Sequence, residues 1–416
     1  MENLISAMGI LVFAAIAWGF CCDKGQIKWR PVIGGLFFQL LFASILFAAP
    51  GARTVFLLFS EVFTNLLGYS RDGIVFVFGE LGAEKSPEGL ILAFQVFPLI
   101  IVFSSIMTLL FYLRVIPWLV EEFARFLASW LKTSGAESLC AVSNIFVGIE
   151  SATAVRPYLT EMTRSEIFTV LTVGMSTVAS SVMAVYVMLL HEHFPAIAGH
   201  LVSASILSVP ASFTISKLMV PETGDPRTTH ASACRMHFED EPSSMMESLI
   251  IGASNGAKLA VGVAVTLIAF VGILGIARGA LASASGGAVS LEGMLGAAFY
   301  PFTWLMGIPV AEVPAVAKML GERLILTEIP AYIDLAKFAA AGGSPRSILI
   351  ASYALCGFTH IASVAIFVGG IGALAPVQLP VLAKLGLKAL LAATLVTLMT
   401  GAVAGLFYWG QLGVLQ

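Results

Sequence analysis

The sequence predicts an all-α polytopic membrane protein with eight transmembrane helices and two re-entrant helical hairpins, arranged as an inverted repeat. Of the 416 residues, 58% are hydrophobic and only 11% are charged, and the mean hydropathy is +0.94. Several apolar runs are long enough to cross a hydrocarbon core of about 30 Å. Two further apolar segments are interrupted by glycine, proline and carboxylates, and such backbone is tolerated in a bilayer only inside protein or beside a cavity.

Eight apolar runs have the length of a membrane-spanning helix, which is about 20 residues. The first run follows an acidic residue instead of a basic segment, and no small-residue cleavage pattern stands out after it. We therefore expect a retained helix and not a signal peptide. The predicted spans cover approximately residues 3–21, 31–49, 90–113, 167–190, 201–219, 259–277, 347–375 and 389–408.

Charge and amphipathicity predict where the segments between the spans lie relative to the membrane. Basic residues are concentrated after the first span and before the fourth, which predicts that both positions are cytoplasmic and that the N-terminus lies outside. Residues 53–82 and 115–131 have apolar residues at helical spacing and are predicted to lie along the membrane interface. The polar residues 221–247 are predicted to form a loop that divides the chain into halves.

The two interrupted segments, approximately 136–160 and 291–330, are predicted to be the re-entrant hairpins. Their tips read "VGIES" and "MGIPVAE". Each hairpin precedes a span with a similar polar centre, "STVASSVMAVY" from Ser176 and "THIASVAIFVGG" from Thr359. A repeated unit of interrupted hairpin and polar-centred helix predicts a secondary transporter whose binding site lies between the two repeats.

Other functional classes lack a supporting motif. The net charge of −3 does not indicate a nucleic-acid partner. The chain contains no GxxxxGK[ST] loop for ATP, and its five cysteines show no metal-binding spacing. An intramembrane enzyme that uses Glu150, Glu312 and His360 as acid and base groups is an alternative, but no nucleophile or metal motif supports it. We therefore expect a protein that is not an enzyme and has no cofactor other than a coupling ion.

Carboxylates inside the apolar segments are functional candidates, because a charged group at mid-bilayer costs about 2.5–3.5 kcal/mol. Glu150 and Glu312 each lie at a predicted hairpin tip. The free N–H groups of the following helix would stabilise a carboxylate or an anionic ligand there. Pairing with Arg156 and Lys318 is the structural alternative for these two acids.

Four further polar residues interrupt apolar segments. Glu328, in "TEIPAY", is compatible with a functional role and equally with an ion pair to Lys337. His360 can bind substrate, carry a proton or hydrogen-bond between helices. Asn144 and Thr177 offer neutral oxygens that suit a small hard cation such as sodium, although such residues also hold helices together.

Several motifs taken together resemble those of the concentrative nucleoside transporter family, over essentially the whole chain. They are "NIFVG", "RPYLTEMTRSEIF", "GIPVAE", "TEIPAY", "YALCGF" and "GGIGALAP". The resemblance implies nucleoside uptake by symport with sodium or protons through alternating access. It also implies a homotrimer, a multi-pass location in the bacterial inner membrane, and an elevator mechanism in which a transport domain moves against a scaffold.

The same resemblance divides the chain into five parts. Residues 1–113 would form scaffold spans one to three with an interfacial helix, and residues 248–290 would form the sixth, scaffold span. Residues 114–220 would contain an interfacial helix, the first hairpin and spans four and five. Residues 291–416 would contain the second hairpin and spans seven and eight. These two parts would form the transport domain, on either side of the loop 221–247.

The resemblance also assigns residues to two sites. The sodium site would consist of the side chains of Asn144 and Thr177 and the backbone carbonyls of Val147 and Val178. In the substrate site, Glu312 and Ser363 would bind the ribose hydroxyls, and the ring of Phe358 would line the pocket. The residues implied for the substrate site are Ile149, Glu150, Ser151, Val182, Glu312, Phe358, His360 and Ser363.

The first hairpin tip departs from the family pattern Gly-Gln-Thr/Ser-Glu, because it reads Gly148-Ile149-Glu150-Ser151, and His360 replaces the usual ribose-binding asparagine. Glu150 therefore has two candidate roles: it reads the nucleobase edge, or it acts with His360 as a proton-carrying pair. The retained asparagine of the sodium site favours sodium. The alternative functions are proton-coupled transport of a different nucleoside-like solute and a non-transporting membrane sensor with the same fold.

Overall fold

A computed structural model describes residues 1–48, 51–83, 91–228, 236, 242–286 and 290–410, and the side chains of residues 48, 52, 53, 55, 56, 149, 150, 285 and 292 lie outside this description. Throughout these ranges the regular structure is helical, and no residue in them forms a strand. The helices are α1 (Glu2–Gly19), α2 (Trp29–Ala48), α3 (Ala52–Phe78), α4 (Phe97–Tyr112), α5 (Val115–Leu131), α6 (Gly135–Val147), α7 (Arg156–Leu159), α8 (Arg164–Ser176), α9 (Ser180–Leu190), α10 (Ile197–Met219), α11 (Met245–Ser285), α12 (Leu291–Leu305), α13 (Val313–Ile325), α14 (Glu328–Ala340), α15 (Pro345–Leu355), α16 (Ile361–Leu374) and α17 (Leu379–Phe407).

Seven helical stretches in the described part are long and apolar enough to cross a membrane. They are Glu2–Gly19, Trp29–Phe47, Leu92–Tyr112, Arg164–Leu190, Ile197–Met219, Met245–Ala284 and Pro376–Phe407. The predicted span 347–375 is divided into the shorter helices α15 and α16 and completes the predicted eight. The all-helical membrane fold predicted from composition is thereby confirmed.

The helices before and after α11 follow the same order. In the first set, α5 precedes the short helix α6, a 3₁₀ segment (Gly148–Val155) that continues into α7, the broken pair α8 and α9, and the long helix α10. In the second set, α12 precedes the short helices α13 and α14, the broken pair α15 and α16, and the long helix α17. The first hairpin therefore consists of α6 and the 3₁₀ segment with α7, and the second consists of α13 and α14.

The second hairpin tip lies at Leu326–Thr327 and not at Met306–Glu312, where the sequence predicts it. The glycine and prolines of "MGIPVAEVP" do interrupt the helix: Gly307 has a φ of +84°, and Pro314 lies in the first turn of α13. This interruption joins α12 to α13, as residues 132–134 join α5 to α6. The true tip contains no glycine, so the sequence carries a weaker signal there.

Helix α5 has the amphipathic pattern expected of an interfacial helix. Its buried residues recur every three or four positions, whereas Trp118 and Trp130 are exposed. The buried set includes Ile116, Val120, Ala124, Leu127 and Leu131. Helix α3, in the other segment predicted to be interfacial, is continuous over Ala52–Phe78.

Helix α1 is bonded to the last helix at both of its ends. Asn3 Nδ2 donates to the carbonyls of Leu406 and Tyr408 at 3.0 and 2.8 Å, and Lys388 Nζ donates to the carbonyl of Phe20 at 2.8 Å. Helix α2 packs on α10, where Thr214 Oγ1 donates to the carbonyl of Val32 at 3.0 Å. The first two spans are therefore attached to the repeated part of the fold.

Helices α4 and α11 pack closely against each other through glycines. A Cβ atom added at Gly252 would lie 2.6 Å from the Cα of Ser105, and one added at Gly256 would lie 2.7 Å from the Cα of Ile101. Small residues four positions apart allow such close approach of two membrane helices. With 41 residues, α11 is about 60 Å long and exceeds the thickness of the hydrocarbon core.

Candidate functional site

The tips of the two hairpins and the two helix breaks surround one cavity of about 320 Å³. The tips contribute Gly148 and Thr327, and the breaks contribute Ala179 and Phe358. Helix ends leave backbone N–H and C=O groups without intrahelical partners. The fold therefore directs polar backbone groups from both repeats toward one enclosed space.

Helix α11 closes the cavity on the side opposite the repeats. Its contribution is mostly apolar or small, with Leu259, Gly262 and Val263, but Lys258 and Thr266 also line the cavity. Sequence reasoning did not single out Lys258, although a lysine at the edge of the predicted apolar run 259–277 is a detectable signal. The cavity thus lies between the α4–α11 pair and the two repeats.

Glu328 is the buried carboxylate of this cavity, with 3% exposure. The hydroxyl of Tyr186 donates to its Oε1 at 2.7 Å, and His360 Nε2 lies 3.3 Å from its Oε2. Glu328 also begins α14, where the helix dipole favours a negative charge. Lys337, the alternative partner considered from the sequence, pairs instead with Asp334 at 2.8 Å.

Two buried oxygens beside the cavity keep free acceptor capacity. Among the described residues, Glu328 Oε2 and Thr327 Oγ1 make no hydrogen bond of good geometry, although both residues line the cavity. Buried polar atoms are nearly always hydrogen-bonded in folded proteins. These two oxygens are therefore unsatisfied acceptors on residues that line the cavity, although both atoms are themselves buried in this state.

His360 is the N-cap residue of α16. Its Nδ1 accepts a hydrogen bond from the backbone N–H of Ser363 at 3.1 Å, and the Ser363 hydroxyl donates back to the His360 carbonyl at 2.6 Å. A ring nitrogen that accepts a hydrogen bond carries no proton, so in this arrangement the proton lies on Nε2, toward Glu328. Both nitrogens of the neutral ring thus have a defined role.

Behind Glu328, two tyrosine rings and an arginine complete a buried polar layer. The rings of Tyr186 and Tyr332 stack with their centroids 4.1 Å apart, and the Tyr332 hydroxyl donates to the carbonyl of Ser352 at 2.8 Å. Arg323, which is 1% exposed, donates to the carbonyl of Ala354 and to Thr397 Oγ1. These contacts hold the hydroxyl of Tyr186 in position against the carboxylate.

A second cluster, of neutral oxygens, lies between the first hairpin and the α8–α9 break. Asn144 Nδ2 donates to Thr177 Oγ1 at 2.5 Å and to the carbonyl of Val173 at 3.2 Å, and Ser151 Oγ donates to Asn144 Oδ1 at 3.2 Å. Asn144, Ser151 and Thr177 are each at most 3% exposed. We call Asn144, Ser151 and Thr177 the oxygen cluster.

The oxygen cluster fits a monovalent hard cation. Its side chains supply amide and hydroxyl oxygens, and α6 and α8 end beside it at Val147 and Ser176, which leaves carbonyl groups unpaired. No group of three or more histidine, cysteine or acidic side chains in the described part is placed to hold a metal ion. The chemistry of the cluster therefore suits sodium better than a transition metal.

Comparison with known proteins decides the family. Models described as "Na+ dependent nucleoside transporter" match residues 8–81 (N-terminus) and 200–405 (C-terminus), and a model described as "Nucleoside recognition" matches residues 93–192. Nucleoside permease NupC of Helicobacter pylori is 31% identical over 98% of both chains. The chain belongs to the concentrative nucleoside transporter family.

Other members of the nucleoside transporter family agree in sequence and in structure. Sodium/nucleoside cotransporter 1 of Rattus norvegicus is 30% identical over 98% of this chain and 64% of its own length. The structure of CNTnw in an inward-facing, substrate-bound state superposes with a TM-score of 0.90, at 34% identity over 98% of both chains. The resemblance inferred from the sequence motifs is thereby confirmed.

The cavity of this nucleoside transporter is lined by five of the residues that the family resemblance assigns to the two sites. They are Val147, Val182, Phe358, His360 and Ser363. Asn144 and Thr177 meet in the oxygen cluster, and Val178 lies in the adjoining helix break, 1% exposed. The backbone of Ile149 and Glu150 lies in the 3₁₀ segment, but their side chains lie outside the described ones, so their predicted roles stay predictions.

Glu312 and Ser151 do not join the substrate residues. The Glu312 carboxylate accepts hydrogen bonds from the backbone N–H and the hydroxyl of Ser344, at 2.9 and 2.5 Å, and from the Ser347 hydroxyl. The Glu312 carboxylate thereby caps α15. It lies outside the cavity lining, because the interruption that contains Glu312 joins α12 to α13 and is not the hairpin tip. Ser151 belongs to the oxygen cluster. Glu328, which was only a candidate from the sequence, is the acid that the fold brings to His360.

A second cavity of about 350 Å³ adjoins the first in this nucleoside transporter. Both cavities are lined by Ser104, Val147 and Ser181, and the second extends to Arg114 and Met236. Arg114 follows α4, on the side that the positive-inside rule assigns to the cytoplasm. The two cavities together therefore extend from the hairpin tips to the end of α4.

Proposed function

We propose that this protein imports nucleosides by symport with sodium, through alternating access to the cavity between its two repeats. The observation that carries the proposal is Glu328: a buried carboxylate with one oxygen held by Tyr186 and the other oriented toward His360, at the edge of a cavity of about 320 Å³. A cavity of that size, with a few convergent polar groups, is typical of a small-molecule site.

The polar end of the cavity suits a ribose. Two neighbouring hydroxyls of the sugar would donate to Glu328 Oε2 and Thr327 Oγ1, which have free acceptor capacity. A hydrogen bond to a charged acceptor contributes about 1.5–3 kcal/mol, so the carboxylate would supply much of the discrimination for a sugar with both hydroxyls. His360 and Ser363 lie at the same end of the cavity and would position the sugar ring.

The other end of the cavity suits a nucleobase. It is lined by Val147, Ala179 and Val182 of the first repeat, and the ring of Phe358 lines the same cavity with its centroid 6.2 Å from that of the His360 ring. Such a lining offers packing surface for a planar ring and few hydrogen-bonding groups. We propose that Glu150, on the adjoining tip, makes the polar contact to the base edge, which the family pattern assigns to glutamine and glutamate.

The oxygen cluster is proposed to bind the coupling sodium ion, with the carbonyls of Val147 and Val178 as further ligands. Val147 also lines the substrate cavity, so an ion at the cluster would order the same hairpin tip that contacts the substrate. Ordering by the first ligand lowers the entropy cost for the second, which yields positive coupling between ion and nucleoside. His360 is less suited to proton coupling, because its Nδ1 caps α16.

Alternating access is proposed to follow the elevator mechanism. The α4–α11 pair would form the static wall, and the two repeats would move with the substrate between them. Because α1 and α2 are bonded to α17 and α10, we propose that they accompany the repeats instead of remaining with the wall. We propose that the described state is inward-facing, because the second cavity extends to Arg114, on the side predicted to be cytoplasmic.

Assembly and location are proposed from the family. We propose a homotrimer in the bacterial inner membrane, with several helices crossing the bilayer and the N-terminus outside. The exposed apolar side chains of α11 are available for contact with lipid or with another copy. They include Ile250, Val261, Val265, Ile268, Ile273 and Ile276.

The test is uptake of labelled uridine and adenosine into proteoliposomes under an imposed sodium gradient and, separately, an imposed proton gradient. Accumulation driven by sodium supports the proposal. Accumulation driven only by protons would contradict the role of the oxygen cluster and assign coupling to an acid or to His360. No accumulation under either gradient, in liposomes that bind the nucleosides, would favour a non-transporting sensor.

A further inference from the structure

Ser151 lies on the second arm of the first hairpin, at the position where the family pattern has its base-reading glutamate. In this chain the side chain is 3% exposed and is not part of the cavity lining. Its hydroxyl donates to Asn144 Oδ1 at 3.2 Å and lies 3.5 Å from the sulfur of Cys140. The hydroxyl is therefore turned away from the substrate and toward the oxygen cluster.

Both ends of the Asn144 carboxamide are occupied by a hydroxyl. Ser151 Oγ bonds the oxygen of the amide, and Thr177 Oγ1 bonds the nitrogen. Three side-chain oxygens from three separate segments, α6, the 3₁₀ segment and the α8–α9 break, are thus collected around one buried amide group. None of them carries a formal charge, which suits a cation with a single charge.

A serine hydroxyl has two lone pairs and a proton that can rotate. In the described arrangement the Ser151 proton points to Asn144 Oδ1, the oxygen that a cation would need. If the proton turns to the sulfur of Cys140, a weak acceptor at 3.5 Å, the lone pairs of Ser151 Oγ and Asn144 Oδ1 both become available. The change requires rotation about the C–O bond and no movement of the backbone.

We propose that Ser151 Oγ is a direct ligand of the coupling sodium ion, which would thereby bind both arms of the first hairpin. The inference rests on the proposed function. Asn144 would bind the ion from the first arm, Ser151 from the second arm and Thr177 from the following helix break. Because Gly148 and Val147 lie between the two hairpin ligands and line the cavity, the ion would close the tip next to the substrate.

The first experiment measures sodium binding without transport, as the rise in melting temperature of the purified protein when KCl is replaced by NaCl at constant ionic strength. We expect Ser151→Ala to raise the sodium concentration for half of this effect about tenfold, as is typical when a metal-site partner is lost. Ser203→Ala is the matched control, because Ser203 is equally buried but lies in α10, outside both the cavity lining and the oxygen cluster. It is expected to leave the half-saturating sodium concentration unchanged.

Uptake supplies the second readout. Ser151→Ala should raise the half-saturating sodium concentration for uptake by a similar factor, while the KM for nucleoside at saturating sodium stays within about twofold, since the ion site alone is weakened. Ser151→Cys keeps the size of the side chain but replaces oxygen by a soft sulfur, so it is expected to lose sodium affinity as well. It serves as the test variant if Ser151→Ala does not fold.

The outcomes separate the inference from the proposed function. If the wild-type protein shows sodium-dependent stabilisation and both Ser151 variants show the same half-saturating concentration as the wild type, Ser151 is not a ligand and sodium symport is unaffected. A raised nucleoside KM with unchanged sodium dependence would return Ser151 to the substrate site. If the wild type itself shows no response to sodium in stability or in uptake, the sodium symport and this inference are both overturned.

Discussion

His360 and Glu328 meet in the wall of the cavity from two different helices, with Nε2 of the imidazole 3.3 Å from Oε2 of the carboxylate. Each of the two residues begins its helix: His360 caps α16 and Glu328 is the first residue of α14. The second hairpin tip and the second helix break therefore meet through their functional side chains. This contact unites two positions that are 32 residues apart in the chain and places the only buried acid among the described cavity residues beside the ring.

Replacement of Glu328 by glutamine is expected to reduce nucleoside uptake at low substrate concentration about 10- to 100-fold, because a hydrogen bond to a charged acceptor is lost. Glu312→Gln is the matched control: its carboxylate caps α15 outside the cavity, so uptake should stay within about threefold of the wild type. Both variants are measured as initial rates in proteoliposomes with equal protein content. Loss of uptake in Glu312→Gln together with normal uptake in Glu328→Gln would reverse the assignment of the two acids.

Tyr186→Phe removes the hydroxyl that donates to Glu328 at 2.7 Å but keeps the ring. We expect the KM for nucleoside to rise about tenfold, because the carboxylate loses the donor that orients it. Tyr332→Phe is the control, since its ring stacks on Tyr186 while its hydroxyl donates to the carbonyl of Ser352 and not to Glu328. An equal rise in KM for both variants would indicate a packing effect and not orientation of the carboxylate.

His360→Asn is expected to retain sodium-driven uptake within about threefold, because asparagine is among the best N-cap residues and would keep the bond to the Ser363 N–H. His360→Ala removes the cap and the contact to Glu328 and should destabilise the protein by about 1 kcal/mol. Uptake of both variants is compared between pH 6 and pH 8. A wild-type response to a proton gradient that disappears in His360→Asn would instead identify His360 as a proton carrier.

Asn144→Ala is expected to raise the sodium concentration for half-maximal uptake at least about tenfold, because it removes the residue that joins the oxygen cluster. The neighbouring Ser143→Ala, also in a buried position of α6, is the control and should leave the sodium dependence unchanged. Uptake is measured at saturating nucleoside while choline replaces sodium. If uptake depends on sodium concentration in the same way in Asn144→Ala and in the wild type, Asn144 is not a ligand of the ion.

Lys217 forms a buried ion pair with Glu137, in which Nζ lies 2.7 Å from Oε2 and the side chains are 4% and 2% exposed. Lys217→Ala leaves the carboxylate buried and is expected to destabilise the protein by about 3–5 kcal/mol. Lys337→Ala breaks an ion pair in which the lysine is 72% exposed and should cost less than about 1 kcal/mol. Thermal unfolding in detergent compares the two. Similar melting temperatures would show that water reaches the Lys217 pair.

Much of the fold could be predicted from hydropathy alone. Each span must satisfy its backbone hydrogen bonds within itself, so it forms one helix and appears in the sequence as a continuous apolar run. The first hairpin was predictable for a different reason. Its tip contains Gly148, which has a φ of +63°, a conformation that glycine adopts readily. Asn144, Thr177, Phe358 and Ser363 were assigned to the two sites because they match family motifs, whereas His360 was singled out as a polar residue that departs from the family pattern.

The sequence by itself determined that this chain is a helical membrane protein of the nucleoside transporter family, and which polar residues interrupt its spans. The tertiary structure decided which of those residues meet. Glu312 and Glu328 both follow an interruption of the second repeat, and only the packing of α13 and α14 shows that Glu328 reaches His360. The direction of the Ser151 hydroxyl was likewise decided by packing, because a side chain at a hairpin tip can face the cavity or the oxygen cluster with the same local sequence.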